Sequence, residues 1–434
     1  MTDEKPRARR VREAVRALRH RNYRIYFLGM LVSFTGTWMQ SVAQGWLIYR
    51  LTGSAWLLGL AGFASQVPVF LLAPLGGVMA DRHSRHRIII ITQTLAMLQA
   101  FVLAALTIGG IVTVKAIFAL AVLLGIVNAF DLPTRQSFMV ELVAKEDLMN
   151  AIALNSSMIQ GSRVLGPALA GLLVGWLGEG PCFLINAISY FAVLAGLFAI
   201  RVSRDLPVST DGTALSHFRE GFIYLRHTRP VRALLLLVAF VSIFGLPYIV
   251  LMPIFASEVL KGGPLALGVL LGAGGTGALA GALTLAARRR VQGLGRVVAM
   301  SVAALGSSLI LFSQSRNLII STVLLVPVGF SLLLQMSASN TLVQTMVPDR
   351  MRGRLMSFYA MSLMGMAPFG SLLAGAVASR IGAPGTVAAG GGLCVCASLL
   401  FWSRLPGLSP EAVPILIAQG MAGEPAEAGT IQQR

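Results

Sequence analysis

The chain has 434 residues, of which 56% are hydrophobic and 12% are charged, and its mean hydropathy is +0.76. Soluble domains carry about 25% charged residues, so an aqueous globular fold is excluded. The formal net charge of +18 would suit a nucleic-acid partner. The basic residues are spread over alternate loops instead of forming one patch, and we therefore expect no nucleic-acid partner.

Apolar stretches of about 18 residues or more, each long enough to cross a bilayer as a helix, recur along the chain from Tyr23 to Trp402. Lipid excludes open sheets, because unpaired backbone groups would have no partner there. The sequence predicts an all-α polytopic membrane protein with twelve transmembrane helices, here called spans 1 to 12. They are predicted near 22–50, 55–80, 88–108, 115–143, 151–177, 182–200, 229–257, 265–287, 296–313, 317–346, 354–379 and 384–402.

An internal repeat divides the chain into two pseudo-symmetric halves of six spans. An offset of 204 residues aligns Val143 with Val347 and the small residues at Gly171 with those at Gly375. Such repeats are typical of transporters with a binding site between the halves. The predicted organisation is a basic amino terminus (1–21), a first half (22–200), a linker (201–228), a second half (229–404) and an irregular tail (405–434).

The positions of the 35 basic residues predict the orientation in the membrane. Arg135 and Arg163 fall inside spans, and nearly all the others lie on the side that holds both termini and the linker. The exceptions are Arg50, Lys115, Lys261, Arg316 and Arg380. By the positive-inside rule, both termini are expected in the cytoplasm, with the protein in a bacterial inner membrane.

The turn between spans 2 and 3 is strongly charged, running Asp81-Arg82-His83-Ser84-Arg85-His86-Arg87 after Gly77. It resembles the signature turn of the major facilitator superfamily, although Ser84 stands where that pattern has glycine. An acid is unfavourable at the carboxyl end of its own helix, so Asp81 is expected to serve a neighbouring helix or a cation.

The resemblance implies a gate on the cytoplasmic side. Asp81 would meet the start of span 11 near Arg352-Gly353-Arg354, and Arg85 would pair with Glu141 at the end of span 4. The echo of this turn in the second half, Arg288-Arg289-Arg290, lacks the acid. The expected gating residues are Gly77, Asp81, Arg82, Arg85, Glu141 and Arg354.

Span 5 carries a small-residue motif that resembles the antiporter motif of superfamily exporters. It comprises Gly161, Gly166, Pro167 and Gly171. Glycines let helix backbones approach closely, and the proline bends the helix. The motif favours an exporter over an importer.

Arg163 lies in the middle of the same span, where an arginine costs at least ~2.5 kcal/mol. Asp131 is the nearest acid by depth, and Arg135 follows it by one helical turn. The three residues are interpreted as a network that binds an anionic group or senses protonation. A purely structural ion pair of Asp131 with Arg135 is the alternative.

Other polar residues within spans define the predicted cavity. Besides Arg163, it is expected to contain Gln40, Gln44, Asn128, Asn155, Gln160, Gln335 and Asn340, with Phe244 and Tyr248 placed opposite Gln40 and Gln44 by the offset of 204. Such a wall suits an amphipathic or ring-bearing ligand, although amides also join helices. Proton coupling is expected from the resemblance, with Asp131 as first candidate carrier and Glu141 as second.

Nothing in the sequence indicates an enzyme, a cofactor or a metal site. The five histidines show no ligand spacing, the three cysteines lie in or beside apolar spans, and no phosphate-binding Gly-x-x-x-x-Gly-Lys motif is present.

The run Asp131-Leu132-Pro133-Thr134-Arg135-Gln136, together with Asn150-Ala151 and Gly166-Pro167, resembles the branch of siderophore exporters and drug-efflux proteins. We expect a monomeric, proton-coupled exporter of a small amphipathic molecule. The alternatives are an importer of the same fold and a non-transporting membrane receptor or assembly protein.

Overall fold

The computed structural model describes residues 15–200, 214–288 and 293–418, and it is almost entirely helical there. Ten helices in these ranges are long and apolar enough to cross a membrane. The longest, Met351–Gly407, contains two spans, because Gly382 interrupts it with φ of 76°. The less apolar helix Arg21–Thr52 has 32 residues, enough to cross as well, which brings the described total to twelve.

The observed spans agree closely with the predicted ones. Spans 1 to 6 are Arg21–Thr52, Ala55–Arg82, Arg85–Ile108, Val114–Glu141, Leu148–Leu177 and Glu179–Ala199. Spans 7 to 10 are Arg229–Val259, Gly263–Ala286, Leu294–Gln314 and Leu318–Met346, and spans 11 and 12 are 349–381 and 383–418. The last helix continues to Ala418, so part of the segment predicted as an irregular tail is helical.

An amphipathic helix, Ala214–His227, lies between the halves in sequence and is called the linker helix. The bundle end that carries it is called the linker face, and it also carries the charged turn at 83–84 and the loops at 142–147 and 347–348. The opposite end, called the far face, carries the loops at 53–54, 109–113, 260–262 and 315–317. Arg289 and Arg290, two residues of the predicted second-half echo, lie outside the described residues.

Two spans depart from regular helix. Span 7 is interrupted at residues 245–247 and ends in the π-helical turn Phe255–Val259, whereas span 11 contains the π-helical turn Met361–Gly365. Prolines at 247 and 253 remove backbone donors from span 7. Single π-helical turns frequently occur at functional positions of helices.

Each half packs as a bundle of its own. Span 1 packs on spans 5 and 6, and span 2 on span 4; in the second half, span 8 packs on span 10, and span 9 on spans 10 and 12. The halves meet where span 5 crosses span 8 and where span 2 crosses span 11. We call this interface the seam.

The repeat offset changes along the chain. Span 3 has 24 residues and is followed by a five-residue loop, whereas span 9 has 21 residues and a three-residue loop, so the second half is shorter here by five residues. Before this point the offset is 209 residues, and after it the offset is 204. With the correct offset, Gln40 and Gln44 correspond to Ile249 and Pro253, not to Phe244 and Tyr248.

The segment before span 1 is attached to the loop between spans 4 and 5. Nε2 of His20 lies 2.8 Å from an Asp147 carboxylate oxygen, and Arg16 forms an ion pair with the same carboxylate. The hydrogen bond with His20, helped by Arg16, holds the pKa of Asp147 below its usual range. These contacts lie within the first half, so the segment is expected to move with it.

Candidate functional site

The seam is closed near the far face by two glycine crossings. A Cβ atom at Gly171 of span 5 would lie 2.8 Å from the Cα of Gly268 in span 8. A Cβ atom at Gly375 of span 11 would lie 2.8 Å from the Cα of Gly59 in span 2. Contacts this short are available only to glycine, which lets the two backbones touch. The two crossings are related by the internal repeat, so the pseudo-two-fold axis runs between them.

The far face also carries polar and aromatic contacts across the seam. The hydroxyl of Tyr49, at the end of span 1, donates to the carboxylate of Glu258 in the π-helical turn of span 7. Phe369 of span 11 packs edge-on against Phe63 and Phe70 of span 2, with ring centroids 5.8 and 6.1 Å apart. Closure therefore extends from the far face to about mid-depth.

The same spans have separated at the linker face. Cβ atoms at Gly77 of span 2, Gly161 of span 5 and Gly353 of span 11 would meet nothing within 4 Å. The first helical segment of span 11 packs on the linker helix and on its own half. The space between the halves is thus closed towards the far face and open towards the linker face.

The charged turn makes one of its two predicted contacts. Nη1 of Arg85 lies 2.5 Å from a Glu141 carboxylate oxygen, so the pair predicted from the resemblance is present. Asp81 is 49% exposed at its side chain, and its charged partner in the described part of the chain is Arg85, at 3.7 Å. Arg354, predicted opposite Asp81, instead forms an ion pair with Glu220 of the linker helix. The seam is open at this level, which separates span 2 from span 11.

Arg163 lies at the closed end of the open space. A Cβ atom at Gly275 of span 8 would lie 3.1 Å from the Arg163 carbonyl oxygen, so spans 5 and 8 are still in contact at this depth. The guanidinium carbon of Arg163 lies 5.6 Å from the centroid of the Trp38 ring. No carboxylate in the described part of the chain lies within 4.0 Å of it, and no hydrogen bond to a described residue is formed.

Asp131 and Arg135 form a separate, buried pair inside the first half. Nε of Arg135 lies 2.6 Å from one Asp131 carboxylate oxygen, and the other oxygen accepts from Thr92 at 2.7 Å and from Gln93 at 3.0 Å. The Arg135 guanidinium also lies over the Phe34 ring. The pair therefore has its own partners, and the predicted network with Arg163 is absent in this conformation.

Several predicted cavity amides are used inside the halves. Gln40 is 3% exposed, donates to Gln99 of span 3 and accepts from Asn186 of span 6, which joins three spans of the first half. Gln335 is fully buried and donates to Ser339, and Asn340 accepts from Gln344 in its own helix. The placement of Gln40 and Gln335 contradicts their predicted exposure to the cavity.

Four other predicted amides retain hydrogen-bonding capacity. Gln44, Asn128 and Asn155 are partly exposed and form no hydrogen bond with a described residue. Nε2 of Gln160 is buried and has no hydrogen-bond partner among the described residues. Gln44, Asn128 and Asn155 are therefore available to a ligand, and Gln160 has a donor that these residues leave unused.

The two predicted aromatics occupy different surroundings. Phe244 packs against the tilted ring of Phe240 and faces an apolar pocket within the second half, between spans 7, 9, 11 and 12, so it does not stand opposite Gln40. Tyr248 also reaches this pocket, but its hydroxyl lies near Gly274 of span 8, next to Gly275, which contacts the Arg163 carbonyl across the seam. Tyr248 is thus the one of the pair that borders the open space.

The antiporter motif of span 5 divides its residues between two neighbours. A Cβ atom at Gly166 would meet the backbone and Trp38 of span 1, whereas the Pro167 carbonyl and Gly171 contact Gly268 of span 8. Gly161 borders no other helix closely. The motif therefore holds span 5 against both its own half and the other half.

The contacts of Glu258, Trp38 and Glu220 are not predicted by any motif in the sequence. The contact of Glu258 could have been predicted from the internal repeat. Tyr49 and Glu258 are equivalent under the offset of 209, and equivalent residues can meet near the pseudo-two-fold axis. Trp38 and Glu220 carry no comparable pattern.

Comparison with known proteins places these features in a family. The sequence profile described as "transmembrane secretion effector" matches residues 13–419. The chain is 25% identical over 380 residues to the staphyloferrin A transporter of Staphylococcus aureus, covering 87% of this chain and 94% of that protein. It is 26% identical over 384 residues to the enterobactin exporter of Shigella boydii, covering 88% and 91%. It is 25% identical over 398 residues to macrolide efflux protein A of Streptococcus pyogenes, covering 88% and 96%.

Solved structures agree on the fold. A nucleoside transporter superposes with a TM-score of 0.70 at 12% identity, covering 88% of this chain and 99% of that one. An inward-facing bacterial homologue of the iron transporter ferroportin superposes with a TM-score of 0.66 at 17% identity, covering 90% and 98%. At such identities the likeness shows the fold alone.

Proposed function

Since the chain belongs to the transmembrane secretion effector family of the major facilitator superfamily, we propose that it is a proton-coupled exporter of a small amphipathic molecule. The cargo class is a siderophore or a drug-like compound, as the names of its relatives suggest. The protein works as a monomer in a bacterial inner membrane, with the linker face and both termini in the cytoplasm.

One observation carries this proposal: the space between the halves is closed at the far face and open at the linker face, with polar groups at its closed end. With the linker face in the cytoplasm, this is the conformation that loads cargo for export. Gln44, Asn128, Asn155, Gln160 and Asn340, with Arg163 and Tyr248, are the proposed cargo-binding residues.

Transport then requires the seam to close at the linker face and open at the far face. Asp81 would approach the start of span 11, including Arg354, once Arg354 leaves Glu220. The Arg85–Glu141 pair keeps the turn in place while the halves move. Gly77, which has open space beside it now, would allow span 2 to approach span 11 closely, and Arg82 would add charge to the gate.

Asp131 is the proposed proton carrier, with Glu141 as the second candidate. Asp131 is 2% exposed and satisfied by Arg135, Thr92 and Gln93, so protonating it removes charge from a tightly coordinated site. Breaking a buried pair in this way is costly, so loss of the Asp131 charge would have to be accompanied by rearrangement around Arg135. In this proposal, that rearrangement couples proton entry to movement of the halves.

The test compares the culture medium of a deletion strain with that of strains that express the wild-type protein or Asp131→Asn, under iron limitation and iron excess. A compound exported by the protein is absent from the deletion medium and restored by wild type. Loss of an iron-dependent compound favours a siderophore. Everted vesicles then test coupling: uptake of that compound should cease when a protonophore collapses the gradient. Identical media from the deletion and wild-type strains would contradict export.

A further inference from the structure

Arg163 is a charged group at the centre of a membrane span, and no charged partner for it lies in the part of the chain that the structure describes. It lies 15 residues after the start of span 5 and 14 before its end. A charge at this depth is costly unless it is paired or hydrated. Arg135, which lies inside span 4, is neutralised by Asp131. Among the described residues, the contact of the Arg163 guanidinium is the Trp38 ring, and a cation–π contact supplies no acceptor for its five N–H donors.

A second unused donor lies one turn away on the same helix. Nε2 of Gln160 is buried, and none of the residues that the structure describes forms a hydrogen bond with it. Residues three apart are neighbours on a helix surface, so Gln160 and Arg163 share a side of span 5. Leu165, which is 54% exposed, lies about 160° around the helix from Arg163, so the two donors face away from the lipid.

Arg163 and Gln160 both lie at the closed end of the open space between the halves. Just beyond Arg163, towards the far face, spans 5 and 8 touch at Gly275. Towards the linker face, a Cβ atom at Gly161 of span 5 would meet no described residue within 4 Å. A group entering from the linker face would therefore meet Arg163 and Gln160 where the space ends.

Two aromatic side chains flank this position from opposite halves. Trp38 belongs to span 1, and Tyr248, which is 6% exposed, belongs to span 7. The Tyr248 hydroxyl lies near Gly274 of span 8, next to Gly275, which contacts the Arg163 carbonyl. An aromatic ring beside two donors suits a ligand that has an apolar ring and an acceptor group.

We infer that Arg163 and Gln160 form an anion subsite for a cargo that carries a carboxylate or similar oxyanion next to a ring. An arginine fork and an amide N–H both donate, so the complementary ligand is an acceptor with negative charge. This inference rests on the proposed function, because it specifies the cargo class of the same cavity. Trp38 and Tyr248 contact the ring of the ligand.

The test uses two probes that share one ring system, 2-naphthoate, which is an anion with two acceptor oxygens, and 2-naphthamide, which is neutral and has one. Full-length protein is reconstituted in lipid nanodiscs, and binding is measured by calorimetry. Wild type should bind naphthoate at least about tenfold more tightly than naphthamide, because the amide cannot form a bidentate ion pair with the guanidinium. Arg163→Gln should reduce naphthoate affinity to the naphthamide level and leave naphthamide unchanged. Arg163→Lys, which retains the charge, should preserve part of the preference.

Arg380→Gln is the matched control, because it removes one positive charge from an exposed position at the far end of span 11. It should alter neither affinity. Equal binding of the two probes to wild type, no naphthoate binding up to its solubility limit, or an unchanged preference in Arg163→Gln would overturn the inference. If Arg163→Gln fails to reconstitute, Arg163→Lys and the wild-type comparison still decide the question.

The outcomes separate this inference from the proposed function. If vesicles show export but anion binding does not depend on Arg163, the exporter is supported and the anion subsite is contradicted. If anion binding depends on Arg163 but no compound is missing from the deletion medium, the anion subsite is supported and the exporter is contradicted.

Discussion

The two ends of the seam differ although the same four spans form both. Near the far face, span 5 touches span 8 and span 2 touches span 11 through glycine backbones. A Cβ atom added at Gly171 or Gly375 would lie 2.8 Å from the glycine Cα atom of the neighbouring span. Near the linker face, glycines of spans 2, 5 and 11 have nothing within 4 Å. The first set stabilises the present conformation, and the second set is available to a conformation that has yet to form. Small residues at both ends are what a protein that alternates between two seams requires.

The largest expected effect comes from filling a far-face crossing. Gly171→Leu should disfavour the present conformation by about 1–3 kcal/mol, because a side chain would enter the contact with Gly268. Spin labels introduced at Thr113 and Asn317, in far-face loops of the two halves, should move apart, and export should be lost. Gly161→Leu is the matched control in the same span, and it should leave the distance unchanged. An unaltered distance in Gly171→Leu would contradict the role of the crossing.

Asp81→Asn tests the other end of the seam. Asp81 is half exposed, and its ion pair with Arg85, at 3.7 Å, contributes little to stability. The variant should therefore insert normally and keep the far-face distance of wild type. Export should nevertheless be abolished, since the linker-face seam could no longer close on the acid. The measurement is the medium comparison, with membrane abundance determined by immunoblotting. Arg87→Gln serves as the control for lost charge in the same turn, and full export by Asp81→Asn would refute the gating role.

A smaller effect is expected from Tyr49→Phe, which removes the hydroxyl that donates to Glu258 across the far face. Glu258 is exposed, so water can replace the lost donor, and a hydrogen bond of this kind contributes about 0.5–1.5 kcal/mol net. The far-face-open population should therefore rise by roughly 2- to 13-fold from a small starting value. The same pair of spin labels detects this as a minor second distance. Thr37→Val, in the same span but bonded within the first half, should not produce it. If the spin-label distances in Tyr49→Phe equal those of wild type, the glycine crossings alone hold the far face closed.

Much of the fold is predictable from the sequence, because hydropathy gives the length of each span and the basic residues give the charge of each loop. The Arg85–Glu141 pair was predictable as well, since both residues lie at helix ends that a known turn brings together. The partners of Gln40 were not. Membrane helices that are apolar on all sides carry little signal of rotational phase, so depth alone could not tell a cavity amide from one that joins spans 1, 3 and 6.

The mistaken pairing of Gln40 and Gln44 with Phe244 and Tyr248 has a different cause. A single offset assumes equal lengths in both halves, whereas a five-residue difference accumulates over spans 3 and 9 and their following loops. The separation of Arg163 from Asp131 could not be predicted from the depth of the two residues in the membrane either. Thr92 and Gln93 of span 3 already complete the coordination of that acid.

The glycine crossings have a consequence for how readily the protein can cycle. Ordering a long side chain at an interface costs up to about 2 kcal/mol of conformational entropy, whereas glycine has no side chain to order. The Gly171–Gly268 and Gly375–Gly59 contacts can therefore form and separate without freezing or releasing any rotamer of their own. Closing this seam is then a small change in free energy, which keeps both conformations within reach of a modest driving force.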